Sequence, residues 1–323
     1  MTDFLLLEKI HKMIVEMPKP RLMFRKGICM KGYFKPYMSF EEYTTAEVFC
    51  NTEASFPVTA RFSAMLGDAG SADTVRNIKG FAVKLHCRRQ EHDIVSQNIP
   101  VYFINDASKF PGLKDALTRR YVFDGVNSTR LWQFAVDNPE TINCILRLYS
   151  YYGIADSFTD INWFCMNTYL WINSSGGKKL IRYRWKPLIY AEGDSAEISR
   201  CKSRVSAEFM AGFDPDKAME EVEGRISTGG FPAFELQVQI LDHKYISHPE
   251  YTKKTICWNE AMVRPVTAGV LKLTKLIKED EEDRGISFAP GNIIDGIELY
   301  RDELSGIMDH SHRLSAAERG VRT

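Results

Sequence analysis

The sequence predicts an α+β fold: an antiparallel β-barrel core with flanking helices. Three observations carry the prediction. Short β-type runs crowd the first half of the chain, and helical runs become common in the second. One hairpin is strongly signalled, with strands over 163–172 and 179–185 joined by Asn-Ser-Ser-Gly-Gly. No internal repeat or long Gly/Ser/Pro linker divides the 323 residues. A single domain over 1–323 is therefore expected: an N-terminal helix and arm over 1–19, a barrel with inserted helices over 20–275, and a C-terminal segment over 276–323.

Residues 4–16 place Leu6, Ile10, Met13 and Ile14 on one helical stripe, and Pro18 and Pro20 end it. Strands are expected over 28–34, 58–64, 80–86 and 101–104, then helices over 113–121 and 139–151. After the hairpin come helices over 198–211 and 215–227, a strand over 234–240, and a helical tail from about residue 302. The charged run over 278–284 reads as a solvated loop.

Composition excludes several classes. Apolar residues make up 44% and charged residues 26%, so the chain is neither disordered nor fibrous. Forty-two basic residues balance forty-two acidic ones, which argues against a general nucleic-acid binder. No run approaches the ~18 apolar residues of a membrane span. The Phe4-Leu5-Leu6-Leu7 run is broken by Glu8 and Lys9, so no signal peptide is expected. Seven scattered cysteines without a CxxC pair fit neither a zinc site nor a disulfide framework; reduced thiols in a cytoplasmic protein are expected.

Four blocks place basic residues inside apolar, strand-like context. They are PRLMFRKGICMKGYF with Arg21, TARFSAM with Arg61, GSADTVRNIKGFAVKLH from Gly70, and IPVYFINDASKFPGL from Ile99. One such arginine is ordinarily a surface cation with its stem buried. Several together suggest a buried anionic ligand, and guanidinium forks suit carboxylates. The run RFSAMLGDAGSADTVRNIKGFAVKLH resembles the RFS…GSADT-R…GFAVK block of the heme catalase superfamily. QNIPVYFINDASKFP, FELQVQI, HPEYTKKTICW and APGNIIDGIE are similar to further elements of that family. The resemblance runs from about Pro20 to Arg319. It is closest in kind to the short branch that holds minimal catalases and catalase-related allene oxide synthases. It implies a catalase-type barrel enclosing one heme b, with Arg21, Arg61 and Arg319 at the positions of the propionate-binding arginines. Met23, Tyr102 and Phe110 match apolar and aromatic positions around the heme.

The departures from the family pattern bear on chemistry. Phe24 stands where the family has its distal histidine, and a phenyl ring transfers no proton. Gln97 stands at the distal asparagine, with its amide expected to donate a hydrogen bond from a displaced position; a one-residue shift presents Asn98 instead. Ser63 matches the serine that supports the absent histidine. On the proximal side, His312 falls at the iron-ligating tyrosine and Met308 at the arginine that keeps that tyrosine ionised. The two changes are coherent, because neutral imidazole needs no adjacent cation and is an ordinary heme ligand. His312 and Arg319 are about 10.5 Å apart along one helix face, whereas His310 lies about 200° around from His312.

These residues imply a heme enzyme poor at dismuting hydrogen peroxide and acting on an organic hydroperoxide or another oxidisable small molecule. Peroxidase, isomerase or dehydratase, and oxygenase chemistry all fit. The alternative is a non-catalytic, histidine-ligated heme or gas-binding protein. A heme-free scaffold is a third reading, against which the arginine trio counts. The resemblance also implies a homodimer.

Overall fold

The computed structural model describes residues 4–16, 21, 23–67, 70–117, 128–188, 203–277 and 285–321. Ten strands form one antiparallel sheet: β1 (Gly27–Pro36), β2 (Phe56–Ala64), β3 (Lys79–His86), β4 (Glu91–Gln97), β5 (Trp163–Cys165), β6 (Tyr169–Ile172), β7 (Lys178–Pro187), β8 (Ala233–Asp242), β9 (Val266–Leu276) and β10 (Ile297–Leu299). Eight of them close a barrel in the order β1-β2-β3-β4-β5-β7-β8-β9, with β9 returning to β1; β6 runs beside β7 and carries β10. Closure leaves no open edge among those eight.

Side-chain alternation decides what fills the barrel. Phe62 of β2, Phe81 of β3, Trp163 of β5, Trp185 of β7 and Phe234 of β8 all point inward and are fully buried. Phe62 stacks on Phe81 at 4.5 Å and on Phe158 at 5.4 Å. The barrel is thus a packed aromatic core. The expectation of a barrel enclosing its ligand is corrected here: aromatic side chains occupy the barrel interior, and the cavity described below lies against the outer face of β2, β3 and β4.

Helices α1 (Phe4–Val15), α3 (Phe110–Leu117), α4 (Ser128–Asp137), α5 (Ile142–Tyr149) and α9 (Glu303–Glu318) cover that outer face; the short α2 is Glu47–Cys50 and α8 is Pro249–Thr252. They form a second apolar cluster with Leu6, Ile10 and Ile14 of α1, Leu113 of α3 and Ile307 of α9. Helix α9 starts cleanly because the Asp302 side chain accepts from Ser305 N at 2.7 Å. Helices α6 (Arg204–Phe213) and α7 (Lys217–Ser227) complete the described fold.

Most expected elements are present, with specific differences. The 101–104 run is irregular, although Val101, Phe103 and Ile104 are fully buried in the helical core. The predicted strand over 163–172 is broken into β5 and β6. Strands β4, β9 and β10 and helix α4 are additions. The expected helix over 113–121 begins earlier, at Phe110, and its residues 118–121 lie outside the described residues, as do 198–202 and the charged run 278–284. No helix among the described residues is long and apolar enough to cross a membrane.

Candidate functional site

Two cross-strand rows on the outer barrel face make a floor. Register aligns Ser63, Gly80 and Gln97 in one row and Arg61, Ala82 and Val95 in the next. Glycine and alanine at the row centres leave the floor flat. Above it lies a cavity with an empty volume of about 1300 Å³, its mouth included. Helix α9 forms a wall through Ile307, Met308, Ser311, His312, Ser315 and Arg319, all on one helical face. Arg21, Met23, Phe24, Tyr102 and Phe110 also line it, so all eleven residues singled out in the sequence meet in one cavity. His310 is exposed and lies outside it.

The loop after residue 285 ties α9 to the barrel. Buried Asp93 of β4 pairs with Lys84 of β3 at 2.9 Å and accepts from Ala289 N and Asn292 Nδ2, each at 2.8 Å. On the other side Asp309 accepts from Gly291 N at 2.7 Å, and Arg313 donates to Asn292 Oδ1 at 2.8 Å. This clamp presents Phe288 and Pro290 to the cavity. Arg21 and Arg319 both donate to the Ile286 carbonyl, at 3.3 and 3.1 Å, which draws two guanidinium groups together at the cavity wall.

His312 is held neutral. Burial pushes its pKa down to about 4, outweighing Asp309, which raises it; Arg21 and Arg319 lower it further. The Phe288 backbone beside the ring favours the protonated form but does not offset burial, and a neutral imidazole keeps a lone pair on one ring nitrogen. Tyr102 is the one tyrosine among the lining residues. Its phenol is pushed well above its ordinary value by burial first and by Cys144 second, so no tyrosinate faces the cavity from it.

Phe24 carries the one positive φ of a non-glycine residue among those described, at 57°. Three contacts hold it there. Phe24 N donates to Met65 O at 3.1 Å, and Arg61 donates to the carbonyls of Phe24 at 2.9 Å and Arg25 at 3.1 Å. The next residue, Lys26, is buried in an ion pair with Asp73 of the GSADT block at 2.9 Å. That block therefore anchors the segment bearing Phe24.

Gln97 corrects an expectation. Its Nε2 donates to the carbonyls of Ile99 at 3.0 Å and Val101 at 2.9 Å, so both amide hydrogens are committed to the backbone. It offers a cavity ligand no donor. The irregular 99–101 run supplies these two carbonyls, which is why the long side chain curls back. Asn98 instead bridges Lys79 N and the Tyr152 carbonyl, away from the cavity. Gly80 and Ala82 were missed as site residues. Their signal was the outward parity of GFAVK once β3 is set beside Ser63 and Arg61.

The residues fit a flat, apolar dicarboxylate with a metal centre. The cavity offers a flat floor, a neutral imidazole with a spare lone pair, three arginines, and no acidic residue among those lining it.

An antiparallel barrel bearing a helix-covered cavity of this composition on its outer face defines the class, and sequence comparison names it. The catalase family profile matches residues 1–307, and the chain belongs to that family. It is 30% identical to Catalase-2 of Bacillus subtilis (strain 168) over 313 residues, covering 94% of this chain and 44% of that one. It is also 30% identical to the catalase of Latilactobacillus sakei over 307 residues, covering 94% and 62% respectively. A solved structure of a bacterial catalase shares the fold with a TM-score of 0.86 at 24% identity, covering 99% of this chain and 61% of that chain. The chain thus spans about half to three fifths of these relatives' length. The profile match ends at Ile307, so the packing of α9 is what supports the positions of Met308, His312 and Arg319.

Proposed function

We propose that the cavity binds heme b and that the chain is a catalase-family heme enzyme turned from hydrogen peroxide dismutation toward an organic substrate such as a hydroperoxide. The observation that carries this reading is one cavity holding neutral His312 together with Arg21, Arg61 and Arg319. His312 would hold the iron, the arginines would meet the propionates, and Met23, Tyr102, Phe110 and Met308 would pack the macrocycle. Bound heme iron supplies redox and Lewis-acid chemistry toward a peroxide bond.

The chain's own residues argue against dismutation. Phe24 cannot carry a proton, and Gln97 has no amide hydrogen to give. Ser63 keeps a hydroxyl beside the Phe24 ring but has no imidazole to support. Positioned acid–base help is worth about 10²–10⁴ in rate, and hydrogen peroxide depends on it. An apolar wall instead suits the organic part of a larger peroxide. The same apolar wall favours, as a second reading, a non-catalytic protein that holds a diatomic gas.

Reconstitution with hemin tests the proposal. A saturable complex with an iron–histidine stretch in the ferrous resonance Raman spectrum is expected. So are oxygen release from hydrogen peroxide far below that of a true catalase and turnover of an organic hydroperoxide. Catalase-like oxygen release would overturn the altered chemistry. Heme uptake without turnover of any peroxide would favour the gas-binding reading. The family resemblance further supports a homodimer, which sedimentation of the holo-protein checks.

A further inference from the structure

Gly80 occupies the middle of the row Ser63–Gly80–Gln97, the one place in that row with no side chain. The Phe24 ring fills the gap. A Cβ built on Gly80 would stand 2.8 Å from Phe24 Cε1, 3.0 Å from Phe24 Cδ1 and 2.9 Å from Ser63 Oγ. Real side chains do not approach so closely, so any residue with a Cβ at 80 must displace the ring and turn the Ser63 hydroxyl aside. Glycine inside a strand ordinarily marks just such a close approach.

The ring is also fixed from behind. Its backbone sits in the left-handed region that bulky residues avoid, and Arg61 donates to the successive carbonyls of Phe24 and Arg25. The ring therefore has a set anchor and a recess to lie in. The adjacent row on the outer face carries only the short Ala82 and Val95 beside Arg61, so how deeply the ring sits governs the free space above it.

We propose that Gly80 is a specificity-determining residue: by letting the Phe24 ring lie back against the barrel, it sets the bulk of ligand the cavity admits. The proposal rests on the heme reading and deepens it. Gly80→Ala pushes the ring into the cavity while leaving His312 and the arginines in place. A larger ligand then loses more than a diatomic one.

The test uses hemin-reconstituted protein, reduced, and compares affinities for carbon monoxide and n-butyl isocyanide. In Gly80→Ala the isocyanide-to-carbon-monoxide affinity ratio should fall about tenfold or more, the scale on which one methylene changes selection by a tight pocket. Phe24→Ala alone should raise the ratio. The double variant Phe24→Ala/Gly80→Ala should match Phe24→Ala, because no ring remains to displace and the Ser63 hydroxyl, 2.9 Å from the new methyl, can rotate aside. A ratio unchanged in Gly80→Ala, or a loss that persists without the ring, overturns the proposal. Should Gly80→Ala not fold, the single Phe24→Ala decides: a ratio no higher than the unmodified protein's overturns it. Heme uptake by the unmodified protein is measured first. Its absence sinks the heme reading and this proposal together, whereas normal uptake with unchanged ratios sinks this proposal alone.

Discussion

At position 24 a phenyl ring stands on a left-handed backbone with φ 57°, and the residue type alone gives no hint of that conformation. The sequence shows that no proton acceptor is present there; the strain comes from carbonyl contacts to Arg61, which is distant in the chain. Gln97 teaches the same lesson, because only the folded 99–101 run shows where its amide hydrogens go. The histidines separate cleanly. His312→Ala should lose heme or leave a cavity that added imidazole refills, whereas His310→Ala should leave the absorption spectrum unchanged, since His310 is exposed. His92 supplies a pH prediction at this scale. It is fully buried in the barrel against Tyr169 and Tyr183, and burial pushes its pKa down to about 4. The unfolded chain takes up its proton near the ordinary 6.5, so its contribution is intact above that pH. It is lost as pH falls from there through about 4, by about 3 kcal/mol in full. His92→Gln should flatten that part of the urea-stability profile relative to the unmodified apo-protein.

Among the elements, the loop after residue 285 does most to build the site while contributing few contacts to its chemistry. It is fastened to β4 by Asp93 and to α9 by Asp309 and Arg313. Asp93→Ala removes the acceptor from Ala289 N and Asn292 and leaves buried Lys84 with Glu91 as its one remaining carboxylate partner among the described residues. A loss of about 3–5 kcal/mol in urea unfolding is expected, as for a broken buried pair, together with weaker heme retention. The arginines should behave differently from one another. Arg319→Ala should weaken heme binding in a titration of apo-protein with little change in folding, since a charge-assisted contact is worth about 1.5–3 kcal/mol. Arg61→Ala should do both, because it also leaves the carbonyls of Phe24 and Arg25 without that donor at a buried site. Element by element, the strongly periodic segments were legible. Strand β4 was not: Glu91-His92-Asp93-Ile94-Val95-Ser96-Gln97 mixes polar residues onto both faces, and both His92 and Asp93 bond to Asn292, about 200 residues away.

Over the whole molecule, a closed barrel filled by its own aromatics serves as a rigid wall, and the cavity lies between that wall and a layer of helices. A ligand that spans both layers should couple them. Free hemin at a thousandfold excess over its dissociation constant should therefore add about 4 kcal/mol to the unfolding free energy and so raise the unfolding midpoint. Scanning calorimetry of apo- and reconstituted protein checks this, and an unshifted midpoint would mean that heme binds outside the fold. The sequence by itself determined the class of fold, the family, and the residues that meet in the cavity. It could do so because period-2 alternation, turn residues and long motifs are local properties of the chain. Only the tertiary structure decided that the site lies outside the barrel, that Gln97 turns its hydrogens away, and that Phe24 rests on Gly80. Each depends on cross-strand register and on hydrogen bonds between residues far apart in sequence, which exist only once the strands are paired.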